Sequence, residues 1–204
     1  KEIIVRNSKK GESFEALDNK KYTLDQNMCA ITDRSGVLGL GGIIGGTRSG
    51  TEFSTKNVLL ESAYFYPSAI RKTAKSLNID TDAKYRFERG IDPNSIKLGL
   101  ELAMCMVLDI CGGEPSKLSI VGKLNRNNKI IDLNYEKILN VIGFSITSSE
   151  TKKILISLGC EVKPGKKGIR VIPPSWRPDI KEDIDLIEEL VRIKGYKNIP
   201  LIIP

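Results

Sequence analysis

Histidine is absent from this chain of 204 residues, and tryptophan occurs only once. Within this sequence, that absence excludes a Cys/His zinc site, a Ser-His-Asp triad and a histidine general base. The four cysteines form no C-x-x-C pair. We expect them to be free thiols in a reducing cytosol, with Cys105 and Cys111 buried by the apolar helical pattern around them.

Long hydrophobic runs are also missing, because no apolar stretch approaches the length of a membrane span and no secretory signal is visible. The sequence therefore predicts a cytoplasmic protein without a membrane partner. It begins at Lys1 without an initiator Met and stops just after the apolar pair Ile202-Ile203, which indicates a piece cut from a longer chain. A chain of this length allows one large domain or two small ones.

Positive charge is in excess, with a formal net charge of +7 and a pI near 9.2. That balance permits contact with a polyanion such as RNA but does not demand it, since a lysine-rich composition often reflects only solvated surface. Composition alone leaves both alternatives open.

Hydrophobic periodicity predicts an α+β fold, in which a mixed α/β module precedes a small winged-helix-like domain. The two domains are expected at 1–123 and 124–204, divided by the polar, basic stretch GKLNRNN at 122–128. For the first domain we predict short strands within 3–33, a buried strand at 57–65, helices at 67–77 and 93–110, and a strand at 118–121. For the second we predict a strand at 129–132, helices at 135–142 and 148–158, strands at 161–162 and 169–172, and a last helix at 184–194.

Two stretches of the first domain have the composition of a binding site. GLGGIIGG, at 39–46, has neither the G-x-G-x-x-G nor the G-K-[ST] spacing, so it offers bare backbone either to a ligand or to tight strand packing. Glu61 ends an apolar run, where its carboxylate is either a ligand-binding acid or the partner of an arginine. In TDAKYRFERG, at 81–90, threonine and alanine beside aromatics fit a small pocket, whereas the charged residues fit a structural ion-pair set of Arg86, Glu88 and Arg89.

The last predicted helix concentrates carboxylates in a chain that is otherwise basic. Asp185, Glu188 and Glu189 share one helical face, and Asp179 lies just upstream. The carboxylates on such a face repel one another unless a cation or a basic partner lies between them. Their hard oxygen ligands suit Mg²⁺ or Ca²⁺. The plainer alternatives are the attraction of acids to a helix N-terminus and a simply solvated face. A separate apolar stripe is expected to pack inward, formed by Ile184, Ile187 and Val191.

Five motifs, in their order and spacing, resemble the beta subunit of bacterial phenylalanyl-tRNA synthetase. They are GGIIGG at 41–46, NVLLE at 57–61, TDAKYRFERGIDP at 81–93, DICGGE at 109–114, and the stretch 176–200. The resemblance covers essentially the whole chain. It implies the C-terminal part of a B3/B4 editing module followed by a B5 domain of winged-helix-like fold.

In that family the B3/B4 module hydrolyses tyrosine wrongly attached to the phenylalanine tRNA. The resemblance implies that Glu61 recognises the tyrosine hydroxyl, in an editing pocket formed by Gly45, Glu61, Thr81 and Ala83. It assigns no catalytic side chain to this sequence. A site that hydrogen-bonds a hydroxyl rejects an analogue without one, because its polar group would be left unpaired. The family's pocket also uses upstream residues, including a histidine, that this sequence does not contain.

The resemblance further implies a magnesium ion between the beta chain and the catalytic alpha chain, with beta-chain ligands Asp179, Asp185, Glu188 and Glu189. The other expected partners are tRNA and the alpha subunit itself, in a heterotetramer of two alpha and two beta chains. The whole enzyme would ligate phenylalanine to its tRNA with ATP. This piece is not expected to bind ATP or to activate an amino acid.

Two other functions stay open for the sequence. A free-standing winged-helix protein would bind nucleic-acid phosphates through a basic wing made of Lys163, Lys166, Lys167 and Arg170. Against it, the second helix offers little for base readout, and the acidic last helix opposes a nucleic-acid face. Alternatively the piece is purely architectural, and replacing Glu61 would then change stability without changing tyrosine discrimination.

Overall fold

The chain folds into two compact units, Lys1–Leu118 and Ser119–Pro204, each with its own hydrophobic core. The computed structural model describes residues 2–123 and 129–200. Both units combine helices with antiparallel sheet, which confirms the predicted α+β class. The domain boundary predicted at 122–128 lies mostly outside the described residues and stays a prediction. No helix in the described ranges is long and apolar enough to cross a bilayer.

Short antiparallel strands open the first unit, as the alternating pattern within 3–33 predicts. They are β1 (Ile4–Asn7), β2 (Ser13–Glu15), β3 (Lys21–Thr23), β4 (Cys29–Asp33), β5 (Gly36–Leu40) and β6 (Ile44–Gly45). Four of them form one sheet in the order β1-β4-β5-β6, and β2 pairs with β3 in a separate hairpin. The core lies between these strands and the first helix, and includes Phe14, Leu24, Ala30, Leu40 and Ile70.

Three helices follow, namely α1 (Pro67–Leu77), α2 (Asp82–Phe87) and α3 (Ser95–Cys111). α1 has the predicted bounds because a proline fits the first helical turn, where its missing N–H leaves no bond unmade. α3 ends at Gly112, which adopts a φ of +68° that favours glycine. The sequence analysis missed α2, since a helix of six residues is too short to show a helical period.

Several predictions for this unit are wrong. No strand forms at 57–65 or at 118–121, where the described backbone is irregular and Leu59 and Ile120 are exposed. Cys105 and Cys111 are exposed rather than buried. An apolar pattern identifies side chains that favour burial, but a strand or a core also needs a neighbouring element, and the described part of the chain supplies none at these places.

α3 presents an apolar stripe to solvent. None of its residues is buried by the part of the chain that the structure describes. The exposed apolar side chains recur every four residues, so they follow one face of the helix, at Leu98, Leu102, Met106 and Ile110.

The second unit has the predicted order of elements. These are β7 (Ile131–Asn134), α4 (Tyr135–Ile142), α5 (Ser148–Ser157), β8 (Glu161–Pro164), β9 (Gly168–Ile172) and α6 (Asp183–Lys194). β9 lies between β7 and β8 in a three-stranded antiparallel sheet. The helix ends agree with prediction because their signals are local: Gly143 adopts the left-handed conformation after α4, and Thr147 and Glu150 form the predicted capping box of α5.

The core of the second unit joins the sheet to the inner faces of all three helices. Its most buried side chains include Leu133, Leu155, Val171, Leu186 and Leu190. Within the stripe predicted on α6, Ile187 and Val191 are buried as expected. Ile184 is not, because it lies in the first turn of α6, and it is 44% exposed.

Gly168 occupies a position where β9 passes too close to β7 for a side chain. A Cβ atom added there would overlap the backbone oxygen of Leu133. We therefore expect Gly168→Ala to lower the free energy of unfolding by roughly 1–3 kcal/mol, measured by urea denaturation. Gly99→Ala is the matched control, since the added Cβ meets only the Ser62 hydroxyl at 3.9 Å and alanine is the better helix former. Equal losses in the two variants would contradict this account.

Candidate functional site

The glycine-rich stretch forms the turn from β5 to β6, and two of its glycines are explained by packing. A Cβ atom added to Gly41 would lie 2.5 Å from the Phe65 ring, and one added to Gly42 would lie 2.7 Å from it. Gly42 also has a φ of +69°, which few other residues adopt. Phe65 in turn packs edge-on against Phe87 of α2, with ring centroids 5.2 Å apart. The tight-packing alternative therefore accounts for Gly41 and Gly42.

Gly45, the glycine predicted to line the pocket, lies in β6 and is exposed. Within 4 Å, a Cβ atom added here would meet only Leu17, whose Cδ1 atom is 3.1 Å away. The Leu17 N–H donates to the Gly45 carbonyl oxygen at 3.0 Å. The exposed side chain of Leu17 therefore lies over Gly45, and a ligand could approach the backbone there closely only if Leu17 moved aside.

Thr81 fastens α2 to the glycine turn. Its hydroxyl accepts a hydrogen bond from the Lys84 N–H at 3.1 Å, which caps the helix, and donates one to the Ile43 carbonyl oxygen at 2.7 Å. Ala83, in the first turn of α2, is partly buried. The hydrogen bond to Ile43 therefore joins the helix that carries Thr81 and Ala83 to the turn that leads to Gly45.

Glu61 lies in the irregular segment before α1, where its surface is exposed. Even so, the protein around its carboxyl group displaces water and raises its pKa. Burial also raises the pKa of the Cys29 thiol, and the charge of Glu61 raises it further. Cys29 contacts the glycine turn, since its Sγ atom would lie 3.1 Å from a Cβ on Gly41.

Three of the four predicted pocket residues, Gly45, Thr81 and Ala83, lie around one feature, the turn from β5 to β6, and are linked through the hydrogen bond between Thr81 and Ile43. For Glu61, the only link to this turn is the effect of its charge on the pKa of Cys29. Glu61 makes no hydrogen bond or ion pair with any described residue, so the alternative of an arginine partner finds no support. A shared pocket stays a prediction for Gly45, Glu61, Thr81 and Ala83.

The charges of α2 form an ion-pair set that differs from the predicted one. The Lys84 Nζ atom lies 3.2 Å from Asp80 Oδ1 and 3.4 Å from Glu88 Oε2, while Arg89 pairs with Glu88 at 3.1 Å. Arg86, which was expected in this set, forms no ion pair with a described residue. The spacing of four residues on either side of Lys84 is the signal that could have identified the real set.

The positively charged guanidinium of Arg177 lies between two of the predicted metal ligands, Asp179 and Glu189. It forms a bidentate ion pair with Asp179, with Nε 3.0 Å from Oδ1 and Nη2 2.6 Å from Oδ2. The Nη2 atom also lies 2.6 Å from Glu189 Oε1. Glu189 is buried and also pairs with Arg192. These pairs hold the pKa of the Asp179 and Glu189 carboxyl groups below their usual range.

The other two predicted ligands, Asp185 and Glu188, differ in their hydrogen bonding. Asp185 accepts hydrogen bonds from the Lys181 and Glu182 N–H groups, each at 2.8 Å, which closes a capping box and lowers its pKa. Glu188 is exposed and has no partner among the described residues. Across 2–123 and 129–200, no group of three or more acidic or cysteine side chains is placed to hold a metal ion. As arranged, these residues do not fit a metal, so magnesium binding stays a prediction.

The Arg177 network generates a prediction about stability and pH. Arg177→Lys keeps the charge but lacks the planar guanidinium that pairs with both oxygens of Asp179 while reaching Glu189, so we expect a loss of about 1–3 kcal/mol in unfolding free energy at pH 7. Because the folded-state pKa of each partner carboxyl is depressed, this stabilisation is fully present above the unfolded pKa of about 4 and is lost as the pH falls through the lower folded-state pKa.

Urea denaturation between pH 7 and pH 3 measures this effect. Arg170→Lys serves as the control, because Arg170 is exposed and donates only to the Pro164 carbonyl oxygen at 3.4 Å. A loss in Arg177→Lys that stays constant down to pH 3 would refute the account.

Comparison with known families follows the division into two units. A B3/4 domain model matches residues 1–112, and a tRNA synthetase B5 domain model matches residues 131–196. A solved N-terminal fragment of the phenylalanyl-tRNA synthetase beta subunit from Pyrococcus horikoshii aligns with 96% of this chain and 57% of that chain, at a TM-score of 0.46 and 17% identity. A likeness of that degree supports no further conclusion.

Relatives with closer sequences share one name. The phenylalanine–tRNA ligase beta subunits of Rhodospirillum rubrum and Mesorhizobium japonicum are 45% identical over 201 residues and 41% identical over 197 residues. Each alignment covers nearly all of this chain, at 98% and 97%, but 25% of the relative, so the chain spans about a quarter of their length. Since the B3/4 model alone matches more than half of the chain and the B5 model follows it, the chain belongs to the phenylalanyl-tRNA synthetase beta-subunit family.

Proposed function

We propose that this chain is the part of a phenylalanyl-tRNA synthetase beta subunit that combines most of an editing pocket with a subunit-facing B5 domain. Its family membership supports a role in ligating phenylalanine to tRNA, an ATP-dependent reaction that the whole enzyme carries out in the cytoplasm. This part of the enzyme binds no ATP. Its contribution is to clear tyrosine that has been attached to the phenylalanine tRNA.

Glu61 is the observation that carries the editing proposal. Its carboxyl group lies partly out of water, as its raised pKa indicates, and none of the described residues pairs with it. Glu61 is exposed, so water still reaches its carboxyl group, but the partial loss of water makes a hydrogen bond from a ligand favourable there. The hydroxyl of a tyrosine side chain supplies one and phenylalanine cannot, so the carboxyl group selects the wrong amino acid for removal.

The remaining pocket residues provide shape and position. The Thr81 hydroxyl already donates once and accepts once, so one acceptor lone pair is left for a ligand. Gly45 and Ala83 contribute little or no side chain, which leaves room for an aminoacyl group. Hydrolysis would depend on holding the ester beside a water molecule, because no side chain of this chain is assigned as the general base.

The editing proposal is tested by Glu61→Ala in the complete two-subunit enzyme. We expect hydrolysis of tyrosyl-tRNA to fall roughly 10- to 100-fold, the effect of one hydrogen bond to a charged group. Charging with phenylalanine should be unchanged. Glu61→Gln is the matched variant, since an amide of the same size keeps an acceptor and should retain part of the activity.

Two measurements give the result, tyrosine release from tyrosyl-tRNA and urea unfolding of each variant. If clearance of tyrosine is unchanged while the unfolding free energy shifts, the editing proposal fails and the architectural alternative holds.

We also propose that α6 faces the alpha subunit in a heterotetramer of two alpha and two beta chains. The family supports assembly with an alpha subunit. If a magnesium ion is shared with it, the ligands on this chain would be Asp179, Asp185, Glu188 and Glu189. Since Arg177 pairs with both Asp179 and Glu189, magnesium binding would require it to release both side chains.

Glu188 is the best position for testing the metal site, because it is exposed and its carboxylate forms no hydrogen bond or ion pair with a described residue. We expect Glu188→Gln to weaken magnesium binding by the two-subunit enzyme about tenfold in calorimetric titration after chelation. Glu136→Gln, which removes an exposed carboxylate from the first turn of α4, is the control. Equal magnesium affinity in the two variants would overturn the assignment.

The free-standing nucleic-acid-binding alternative rests on the hairpin of β8 and β9. Lys166 and Lys167 are exposed there, as the predicted wing requires, but Lys163 is paired with Glu161 at 2.8 Å. Family membership makes tRNA the expected nucleic acid for this surface. Salt-dependent binding of duplex DNA by the 204-residue protein would restore the alternative.

A further inference from the structure

Tyr85 of α2 and Arg89, two residues beyond the end of that helix, form an exposed stack. The Arg89 guanidinium carbon lies 3.6 Å from the centre of the Tyr85 ring. Tyr85 is 55% exposed, and so is the side chain of Arg89. The pair therefore presents a flat, positively charged surface to solvent at the edge of the candidate site.

Arg89 is held in this position by more than the ring beneath it. Its Nη1 atom donates to the Tyr85 carbonyl oxygen at 2.8 Å and to Glu88 Oε1 at 3.1 Å. Glu88 is itself fixed by Lys84, and the Glu88 carbonyl oxygen accepts from Arg71 of α1 at 3.1 Å. A guanidinium plane that is already oriented loses little further freedom when a ligand stacks on it.

The surface around the stack is cationic. Between residues 71 and 89 the chain carries six basic side chains against three acidic ones, Asp80, Asp82 and Glu88. Two of those three acids are already paired with Lys84. The surplus of positive charge suits a phosphate backbone, and the exposed stack suits a base.

We propose that the stack of Tyr85 and Arg89 is a platform for an unpaired nucleobase of tRNA. Unpaired RNA bases commonly stack on aromatic rings and on guanidinium planes. An aminoacyl-tRNA carries its amino acid on an unpaired 3′ end, so a site that hydrolyses the ester must also hold nucleotides beside it.

The position of the stack fits this requirement, and the inference rests on the proposed editing function. The Tyr85 N–H donates to the Thr81 carbonyl oxygen at 2.9 Å, which places the backbone of Tyr85 one helical turn, about 5.4 Å, along the axis from that of the predicted pocket residue. That separation is comparable to the span of a single nucleotide. The base would thus rest on the stack while the ester enters the pocket.

The test uses the complete two-subunit enzyme and tRNA with 2-aminopurine at one of its unpaired 3′ nucleotides, because stacking quenches that fluorophore. We expect binding to quench the fluorescence with the wild type and Tyr85→Phe, and no quench with Tyr85→Ala. In hydrolysis of tyrosyl-tRNA, Tyr85→Ala should raise KM roughly tenfold with little change in kcat, as loss of one stacked base predicts. Phe53→Ala removes a fully exposed aromatic elsewhere in the unit and should behave as the wild type.

The outcomes separate this inference from the editing proposal. If Tyr85→Ala leaves the quench and KM unchanged in an enzyme that clears tyrosine, the platform is wrong and editing stands. If Tyr85→Ala abolishes the quench in an enzyme that does not clear tyrosine, the platform stands and editing is wrong. Arg89→Lys keeps the charge without the plane, so it gives the same decision should Tyr85→Ala fail to fold.

Discussion

The hydrogen bond from the Thr81 hydroxyl to the Ile43 carbonyl oxygen joins α2 to the turn from β5 to β6, and these two elements contain most of the predicted pocket residues. α2 is only six residues long, and a helix of that length is not stable in water by itself. It is held at its start by this bond and at its end by Phe87, which packs on Phe65 beneath the glycine turn. Thr81, Ala83, Tyr85 and Arg89 therefore keep fixed positions relative to the turn only as long as that attachment is intact.

In the second unit, the main electrostatic feature is the concentration of carboxylates at α6. Its last helix brings carboxylates together, and the repulsion between them is relieved inside the unit by Arg177, by Arg192 and by the backbone N–H groups at the helix start. Of the four predicted metal ligands, Glu188 is the one whose carboxylate has no hydrogen-bond or ion-pair partner among the described residues. The unit can thus fold without a metal, and a cation that binds there has to compete with a guanidinium that is already in place.

Local signals account for what the sequence predicted well. The bounds of α1 and α4 agree to the residue, and the start of α5 agrees too, because the proline start of α1, the glycine end of α4 and the capping box of α5 depend only on neighbours in the chain. Partners distant in sequence could not be predicted in the same way. The pairing of Arg177 with Glu189, twelve residues away, and the hydrogen bond of Thr81 to Ile43 follow from how elements pack. The expected strand at 57–65 failed for the same reason, since its apolar pattern did not specify a neighbour.

The exposed apolar stripe on α3 affects the solubility and association of this chain in solution. Water around Leu98, Leu102, Met106 and Ile110 is released by any contact that covers them, so the helix favours association over dispersion. Sulfate and other excluded salts strengthen that tendency. Association of this chain in such salts is therefore expected to involve α3, even though the net charge of +7 keeps the molecules apart at low ionic strength.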